Sequence, residues 1–162
     1  MWSSDRRFFC LGALAALSSC GFTPVHGTGG SAAGLRGQID FVDPTTRTGF
    51  VLVKHLEDRL GLPSAPRYRM AYRVQTTSSG LAISNSNNVE RVNLNGVLDY
   101  SMTDLTTGQV VTADSVRSFT SYATTVSTVS TRAAEQDAED RLMIILGDLA
   151  IARLLATAPD WA

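Results

Sequence analysis

Residues 67–75 read Arg-Tyr-Arg-Met-Ala-Tyr-Arg-Val-Gln, and this stretch decides the fold. Large apolar side chains fall on every second position, and polar side chains fall between them. Successive side chains of a β-strand point to opposite faces, so one face of this segment is apolar and the other is rich in arginine. The apolar face comprises Tyr68, Met70, Tyr72 and Val74, and the polar face comprises Arg67, Arg69, Arg73 and Gln75. The pattern predicts a half-buried antiparallel strand with a second layer over one face only.

Other segments supply the rest of a sheet. Residues 35–42 are predicted to form a first strand, with Ile39 and Phe41 on one face. Residues 77–80, Thr-Ser-Ser-Gly, are predicted to interrupt the second strand, and residues 84–88 to form a loop. The apolar face of the third strand is predicted to comprise Val92, Leu94, Leu98, Tyr100 and Met102.

The sheet is predicted to end with a hairpin. Thr106-Thr107-Gly108 supplies the turn, and residues 110–122 form the last strand. The apolar and polar positions of this strand alternate less regularly, which predicts a bulge. Residues 120–131 are dominated by Ser and Thr and are expected to form a loop, with a continuation of the strand or a low-complexity patch as the alternatives.

Two helices complete the pattern. The first is predicted over Thr46–Leu60, before Gly61, and the second over 131–156. Their core-facing residues are predicted to be Phe50, Val53, Leu56 and Leu60 in the first helix, and Ala134, Ala138, Leu142, Ile145, Leu149, Ala152 and Ala156 in the second. The order predicts an α+β, two-layer βαβββα sandwich, with both helices packed on one face of a four-stranded, mostly antiparallel sheet.

Acidic residues crowd the start of the second helix. They are Glu135, Asp137, Glu139 and Asp140. The positive end of the helix dipole favours negative charge there, so this cluster is attributed to the helix terminus and not to a metal site.

Composition excludes several classes of protein. A formal net charge of −1 and a single lysine leave no basic footprint for nucleic acid. A hydrophobic fraction of 44% is typical of a folded domain. No apolar stretch is expected to reach the ~18 residues that a membrane-spanning helix needs.

The first residues have the pattern of an export signal. Arg6 and Arg7 precede an apolar run over 8–17, and Leu17-Ser18-Ser19-Cys20 is typical of a lipoprotein cleavage site. We therefore predict a signal peptide at 1–19, a lipidated N-terminus and flexible tether at 20–34, and one α+β domain at 35–158. An ordinary signal peptide, or a buried strand with an incidental Cys20, is the alternative. The two arginines leave export by the Sec or the twin-arginine route open.

Residues suited to catalysis are sparse. Both cysteines lie in the first 20 residues, and the two histidines are His26 and His55, the second on a charged helix face that is predicted to be exposed. Neither Gly-x-Ser-x-Gly nor His-Glu-x-x-His occurs. The sequence predicts no enzyme, no cofactor and no metal site.

Two segments resemble a known family. Cys20-Gly21-Phe22-Thr23-Pro24-Val25-His26-Gly27 resembles the Cys-Gly-Phe-x-Pro-Leu-Tyr-Gly opening of the LPS-assembly lipoproteins in their alphaproteobacterial form. Ser121-Tyr122, followed by Ala133-Ala134-Glu135-Gln136-Asp137-Ala138-Glu139, resembles that family's Ser-Tyr…Ala-Ala-Glu-x-Asp-Ala-Glu region. The family also has the βαβββα order. His26 departs from the family's tyrosine, and the glycine-rich tether is longer than the family pattern.

The resemblance implies a non-enzymatic, outer-membrane lipoprotein, anchored through acyl chains on Cys20 and facing the periplasm and a barrel lumen. Members of the family help the β-barrel that inserts lipopolysaccharide to assemble, and they act as its plug. The implied partners are that β-barrel protein, lipopolysaccharide and the lipid of the outer membrane. The alternative is an accessory lipoprotein of another secretion or transport complex.

Arginines on the polar strand faces are the candidate lipopolysaccharide ligands, because a guanidinium can bind phosphate through two hydrogen bonds. The candidates are Arg67, Arg69, Arg73, Arg91 and Arg117. The alternative is a solvated sheet face on which arginine only maintains solubility.

Overall fold

A computed structural model describes residues 34–83 and 89–162. The predicted signal peptide, Cys20 and the tether up to residue 33 lie outside the described residues, as does the predicted loop at 84–88.

The described chain forms a four-stranded sheet and two long helices. The elements are β1 (Ile39–Phe41), α1 (Arg47–Leu60), β2 (Tyr68–Ile83), β3 (Val89–Asp104), β4 (Val110–Ala123) and α2 (Thr128–Thr157), followed by a short 3-10 helix at Ala158–Asp160. The strands lie in the order β1-β2-β3-β4. β1 is parallel to β2, and the other two pairs are antiparallel. The predicted α+β fold and its βαβββα order are confirmed.

The sheet differs from the sequence prediction in several places. β1 is limited to Ile39–Phe41, whereas the sequence predicts a strand over residues 35–42. β4 continues to Ala123 and α2 begins at Thr128, so only residues 124–127 of the segment predicted as a loop connect two elements.

Residues 77–80 do not interrupt β2, because Thr77 pairs with Asn95 and Ser79 with Asn93 in an unbroken ladder. Ladder hydrogen bonds come from the backbone, so small polar side chains do not end a strand that has a partner. The irregularity follows at Gly80 and Ala82. In the second hairpin the register shifts next to Thr103, which pairs with Val110, so the predicted bulge lies at the start of β4.

The limits of α1 agree with the prediction, but its buried face does not. The Thr46 side chain accepts a hydrogen bond from the Gly49 N–H at 3.1 Å, and Gly61, with φ of 87°, ends the helix. The side chain of Phe50 is 61% exposed. Its place is taken by Gly49, where a Cβ atom would lie 3.3 Å from the Tyr72 hydroxyl and leave no room for a larger group. The buried residues are Gly49, Leu52, Val53, Leu56 and Leu60.

The predicted core stripe of α2 is also wrong in part. Ile145 and Leu149 are 37% and 39% exposed, and the buried residues are Ala138, Leu142, Met143, Leu146, Gly147, Ala150, Ile151 and Leu154. Close contacts at two glycines determine which side of α2 faces the core. A Cβ at Gly96 of β3 would lie 2.9 Å from the Leu142 and Leu146 side chains, and one at Gly147 would lie 2.9 Å from His55.

The acidic cluster of α2 has a different role from the one predicted. Because α2 begins at Thr128, its first turn contains no acidic residue, and the helix dipole does not explain the cluster. Arg47 of α1 donates to Asp140 at 3.0 Å, to Glu139 at 3.4 Å and to the Gln136 carbonyl at 3.1 Å. The hydrogen bond to Asp140 is the largest of the effects that raise the pKa of Arg47. Part of the cluster therefore links the beginning of α1 to α2.

One described helix is long and apolar enough to cross a membrane, contrary to the sequence prediction. It comprises α2 and the 3-10 helix that follows, Thr128–Asp160. Half of its most apolar 18-residue stretch is buried within the protein. Its apolar residues pack on the sheet and on α1 in a core that also contains Leu98 and Met102, so α2 has the burial of a core helix.

Candidate functional site: the open face of the sheet

The side of the sheet opposite the helices has no second layer among the described residues. We call this side the open face. Its side chains alternate with buried ones such as Met70, Leu98 and Val116, which point to the helices. Its members are Arg69, Ala71, Arg73, Gln75, Thr77 and Ser79 of β2, Arg91, Asn93, Asn95, Val97, Asp99 and Ser101 of β3, and Ser115, Arg117, Phe119 and Ser121 of β4.

The strand register brings two of the candidate arginines together. Arg73 pairs across the sheet with Asp99, and Arg117 pairs with Val97 on the next row of β3. From the spacing of strands and residues, the Cα atoms of Arg73 and Arg117 are about 12 Å apart. Both side chains are exposed, and neither has an ion pair with the side chains that the structure describes, in residues 34–80 and 91–162.

A shallow depression of about 320 Å³ lies beside Arg73. It is lined by Ala71, Tyr72, Arg73, Asp99, Tyr100 and Ser101. Asp99 places a negative charge directly across from Arg73, so the positive field is weaker here than beside Arg117. Sequence reasoning placed Asp99 on the polar face of β3 but could not pair it with Arg73, because the pairing depends on the register.

Two other candidates are bound within the protein. The Arg69 guanidinium donates to Asp40 of β1 at 2.8 Å. Arg67 lies 3.3 Å from Asp104 and 4.9 Å from the centre of the Tyr68 ring. The pKa of Asp104 is lowered, first by the Thr106 backbone N–H that donates to it and also by Arg67. Both guanidinium groups already have a carboxylate partner, so they are weaker ligands for an external phosphate than a free arginine.

Arg91 is distant from the other candidates. It pairs with Ala123 near the far end of β3, six residues from Val97, or about 20 Å along the strand. The five arginines predicted as one site thus divide into a pair (Arg73 and Arg117), two internal ion pairs, and a separate residue.

The two parts of the C-terminal resemblance lie against each other. The Thr120 hydroxyl donates to the Ala138 carbonyl at 3.0 Å, and the Tyr122 hydroxyl donates to Glu135 at 3.4 Å. Burial, followed by the charge of Glu135, raises the pKa of Tyr122. These residues join β4 to α2, so the shared segment has a structural role at this contact.

His55 is less exposed than predicted. Its side chain is 19% exposed, lies 2.9 Å from Asp148 and packs on Gly147 between the helices. Arg59 lies 3.5 Å from the same carboxylate. Within the described residues, no group of three His, Cys, Asp or Glu side chains is placed to hold a metal ion. The absence of enzymatic activity stays a prediction.

Known proteins resemble this chain in structure. No protein-family model matches it, and no curated protein matches it in sequence. A candidate lipoprotein of Caulobacter crescentus has 20% sequence identity and a TM-score of 0.67, over 82% of this chain and 98% of that one. The two chains share one fold. Rare lipoprotein B of Shewanella oneidensis matches with 10% identity and a TM-score of 0.58, over 76% of this chain and 96% of that one.

A third structure has the same fold. The minor lipoprotein of Acinetobacter baumannii matches with 13% identity and a TM-score of 0.51, over 74% of this chain and 89% of that one. At these levels of identity the likeness concerns the fold alone. Rare lipoprotein B is one of the proteins that have this fold, so the architecture of the chain is like that of rare lipoprotein B.

Proposed function

We propose that this protein is an outer-membrane lipoprotein of the LPS-assembly type, which assembles with and plugs the β-barrel that inserts lipopolysaccharide. The observation that carries the proposal is the structural likeness to three lipoproteins, one of them rare lipoprotein B. It is supported by the lipidation pattern that ends at Cys20 and by the segment that follows it.

The surface of the domain suits a barrel lumen. The interior wall of a large outer-membrane barrel is polar and wet. Half of the residues on the open face are Ser, Thr, Asn or Gln, and a quarter are arginine. The apolar side chains on the other face of the sheet are covered by α1 and α2, so the domain buries its core without help from a barrel.

Lipopolysaccharide binding belongs to the same proposal, with Arg117 and Arg73 as its phosphate ligands. A free guanidinium can bind a phosphate through two charge-assisted hydrogen bonds. Arg67 and Arg69 would first have to leave their carboxylates. The negative charge of Asp99 repels an anion bound at Arg73, so Arg117 is expected to contribute more to phosphate binding.

Co-purification tests the proposal. The tagged, full-length protein is extracted from its membranes in mild detergent, and the expected result is a stable complex with one large β-barrel protein. A protein that is recovered alone would overturn the proposal. Recovery of a secretion or transport complex would assign it to another machine.

The anchor is tested with a single substitution. Cys20→Ala removes the thiol that is acylated, and the expected result is release of the protein from the membrane fraction after a carbonate wash, because stable attachment needs several acyl chains. Cys10→Ala, within the predicted signal peptide, is the matched control. Tight membrane association of the Cys20→Ala protein would contradict lipidation at this residue.

A further inference from the structure

The outer edge of β4 has backbone groups that no strand uses. β4 pairs with β3 from Val110 to Ala123, and no described strand lies on its other side. Such an edge presents a row of N–H and C=O groups that can pair with another extended chain.

Two hydrogen bonds show which backbone groups point outward. The Ser115 N–H donates to the Asp114 carboxylate at 2.7 Å, and the Ser121 carbonyl accepts from the Arg141 guanidinium at 3.4 Å. Neither group serves the ladder with β3. Backbone groups of alternate residues point to the same side of a strand, so those of Arg117 and Phe119 also point outward. The protein's own side chains cover two outward groups of this edge, and the centre is left open.

Helix α2 supplies an apolar wall above the open centre. Arg141 reaches over β4 to Ser121, and Ile145 and Leu149 follow it at four-residue intervals on the same side of the helix. These two side chains are 37% and 39% exposed. A strand added beside β4 would place alternate side chains against them. On the open face the same strand would lie beside Phe119, which is 65% exposed.

The positive charge of Arg117 indicates which kind of strand the β4 edge would bind. Arg117 has no ion pair among the described residues. The outward-pointing positions of β4 are Ser115, Arg117, Phe119 and Ser121, and none is acidic. A second copy paired through β4 would set Arg117 against one of these four residues and would supply no carboxylate. A charged side chain on an edge strand also disfavours pairing between copies.

We propose that the β4 edge binds an extended segment of a partner protein as a fifth strand of the sheet. The segment carries apolar side chains on the face toward Ile145 and Leu149, and an aspartate or glutamate opposite Arg117 on the other face. Main-chain hydrogen bonds to Arg117 and Phe119 hold it, and the side chains set its register. The inference does not rest on the proposed function, and the two compete for one group: a partner carboxylate on Arg117 would weaken phosphate binding at the same guanidinium.

The test uses a labelled peptide, acetyl-Thr-Ile-Thr-Ile-Asp-Ile-Thr-Ile-Thr, and the full-length protein in mild detergent. One control peptide has lysine in place of aspartate, and another carries N-methyl groups on the amides that would face β4. We expect the aspartate peptide to bind about tenfold more tightly than the lysine peptide, from opposite- against like-charge pairing across strands. The N-methylated peptide should not bind, and hydrogen exchange should slow at Arg117 and Phe119.

Protein variants separate this site from nonspecific attraction. Arg117→Glu should reverse the preference between the aspartate and lysine peptides, whereas Arg132→Glu, on exposed α2 surface, should leave it unchanged. Equal binding of all three peptides, or protection confined to β2, would overturn the proposal. Concentration-dependent dimerisation that Arg117→Glu strengthens would make a second copy the occupant and would overturn it as well.

Discussion

The two faces of the sheet are made by the same strands but have opposite compositions. Leu98 and Val97 are neighbours in β3; Leu98 is fully buried under the helices, and Val97 lies on the open face between Gln75 and Arg117. The covered face, which is the side of the sheet under α1 and α2, contributes the apolar core. The open face contributes polar groups, among them Arg73 and Arg117, which have no ion pair with a described side chain. Neighbouring residues of one strand thus contribute to different properties. Substitutions on the covered face should change the stability of the protein, and substitutions on the open face should change ligand binding.

The largest effect is expected from shortening a buried side chain. Leu98→Ala should lower the free energy of unfolding by about 2–5 kcal/mol, because it removes core contacts and leaves a cavity. Val97→Ala, one residue away, should lower it by only about 0.5 kcal/mol, as is usual for surface positions. Urea unfolding followed by circular dichroism measures both. Equal losses would mean that the open face is packed against another layer.

A smaller loss is expected where the side chains of α2 pack against the backbone of β3. Gly96→Ala adds a methyl group 2.9 Å from the side chains of Leu142 and Leu146, which are themselves fully buried. Overpacking of this kind should destabilise the protein by about 1–3 kcal/mol. Asn95→Ala, on the open face, is the matched control and should be close to neutral. A Gly96→Ala protein as stable as the parent would show that α2 can move away from β3.

The sequence predicts the buried residues of the covered face well where the apolar residues fit only one repeat. The alternation at 67–75 assigns the β2 side chains from Tyr68 to Gln75 to their observed faces, and Leu94, Leu98, Tyr100 and Met102 are buried as predicted. The apolar residues of α2 fit two helical phases. Ile145 and Leu149 follow one, and Met143 and Leu146 follow the other. The choice depends on Gly96 and Gly147, whose close contacts exist only after the layers meet.

The candidate site is less accessible to sequence reasoning. The outward orientation of the arginines follows from the period of two. Their separation does not, because Asp40 and Asp104, which pair with Arg69 and Arg67, come from other strands. The proximity of Arg73 to Arg117 and the unpaired edge of β4 require the order and register of three strands.

The covered face should also respond to alkaline pH. Burial raises the pKa of Tyr100 to about 12, and the Asp114 charge contributes in the same direction. An unfolded tyrosine ionises near pH 10. Between about pH 10 and pH 12 the unfolded state therefore releases a proton that the folded state keeps, and stability falls as the pH rises.

Tyr100→Phe measures this contribution. The free energy of unfolding of the variant should depend less steeply on pH between 10 and 12 than that of the parent, in urea titrations at fixed temperature. Tyr122→Phe, at the more exposed contact with α2, should flatten the profile less. Identical profiles for the parent and Tyr100→Phe would mean that Tyr100 is solvated in the folded protein.

The smallest effect on stability, and the largest on ligand binding, is expected at the open arginines. Arg73→Glu with Arg117→Glu breaks no ion pair between described residues, but it places a carboxylate across from Asp99. This cross-strand repulsion is small, so the free energy of unfolding should fall by about 1 kcal/mol at most. The loss of two phosphate ligands should weaken binding of fluorescent lipopolysaccharide about tenfold or more, since each hydrogen bond to a charged group contributes about 1.5–3 kcal/mol.

Arg132→Glu with Lys54→Glu makes the same change in charge on the helices and controls for nonspecific attraction between the protein and the ligand. If both double variants weaken binding equally, net charge accounts for the effect and the open face holds no phosphate site. A large loss of stability in the Arg73→Glu, Arg117→Glu protein would contradict the division between the two faces, because it would show that these arginines help to hold the sheet together. Unchanged binding by the folded variant would restrict the arginines of this face to keeping the sheet solvated.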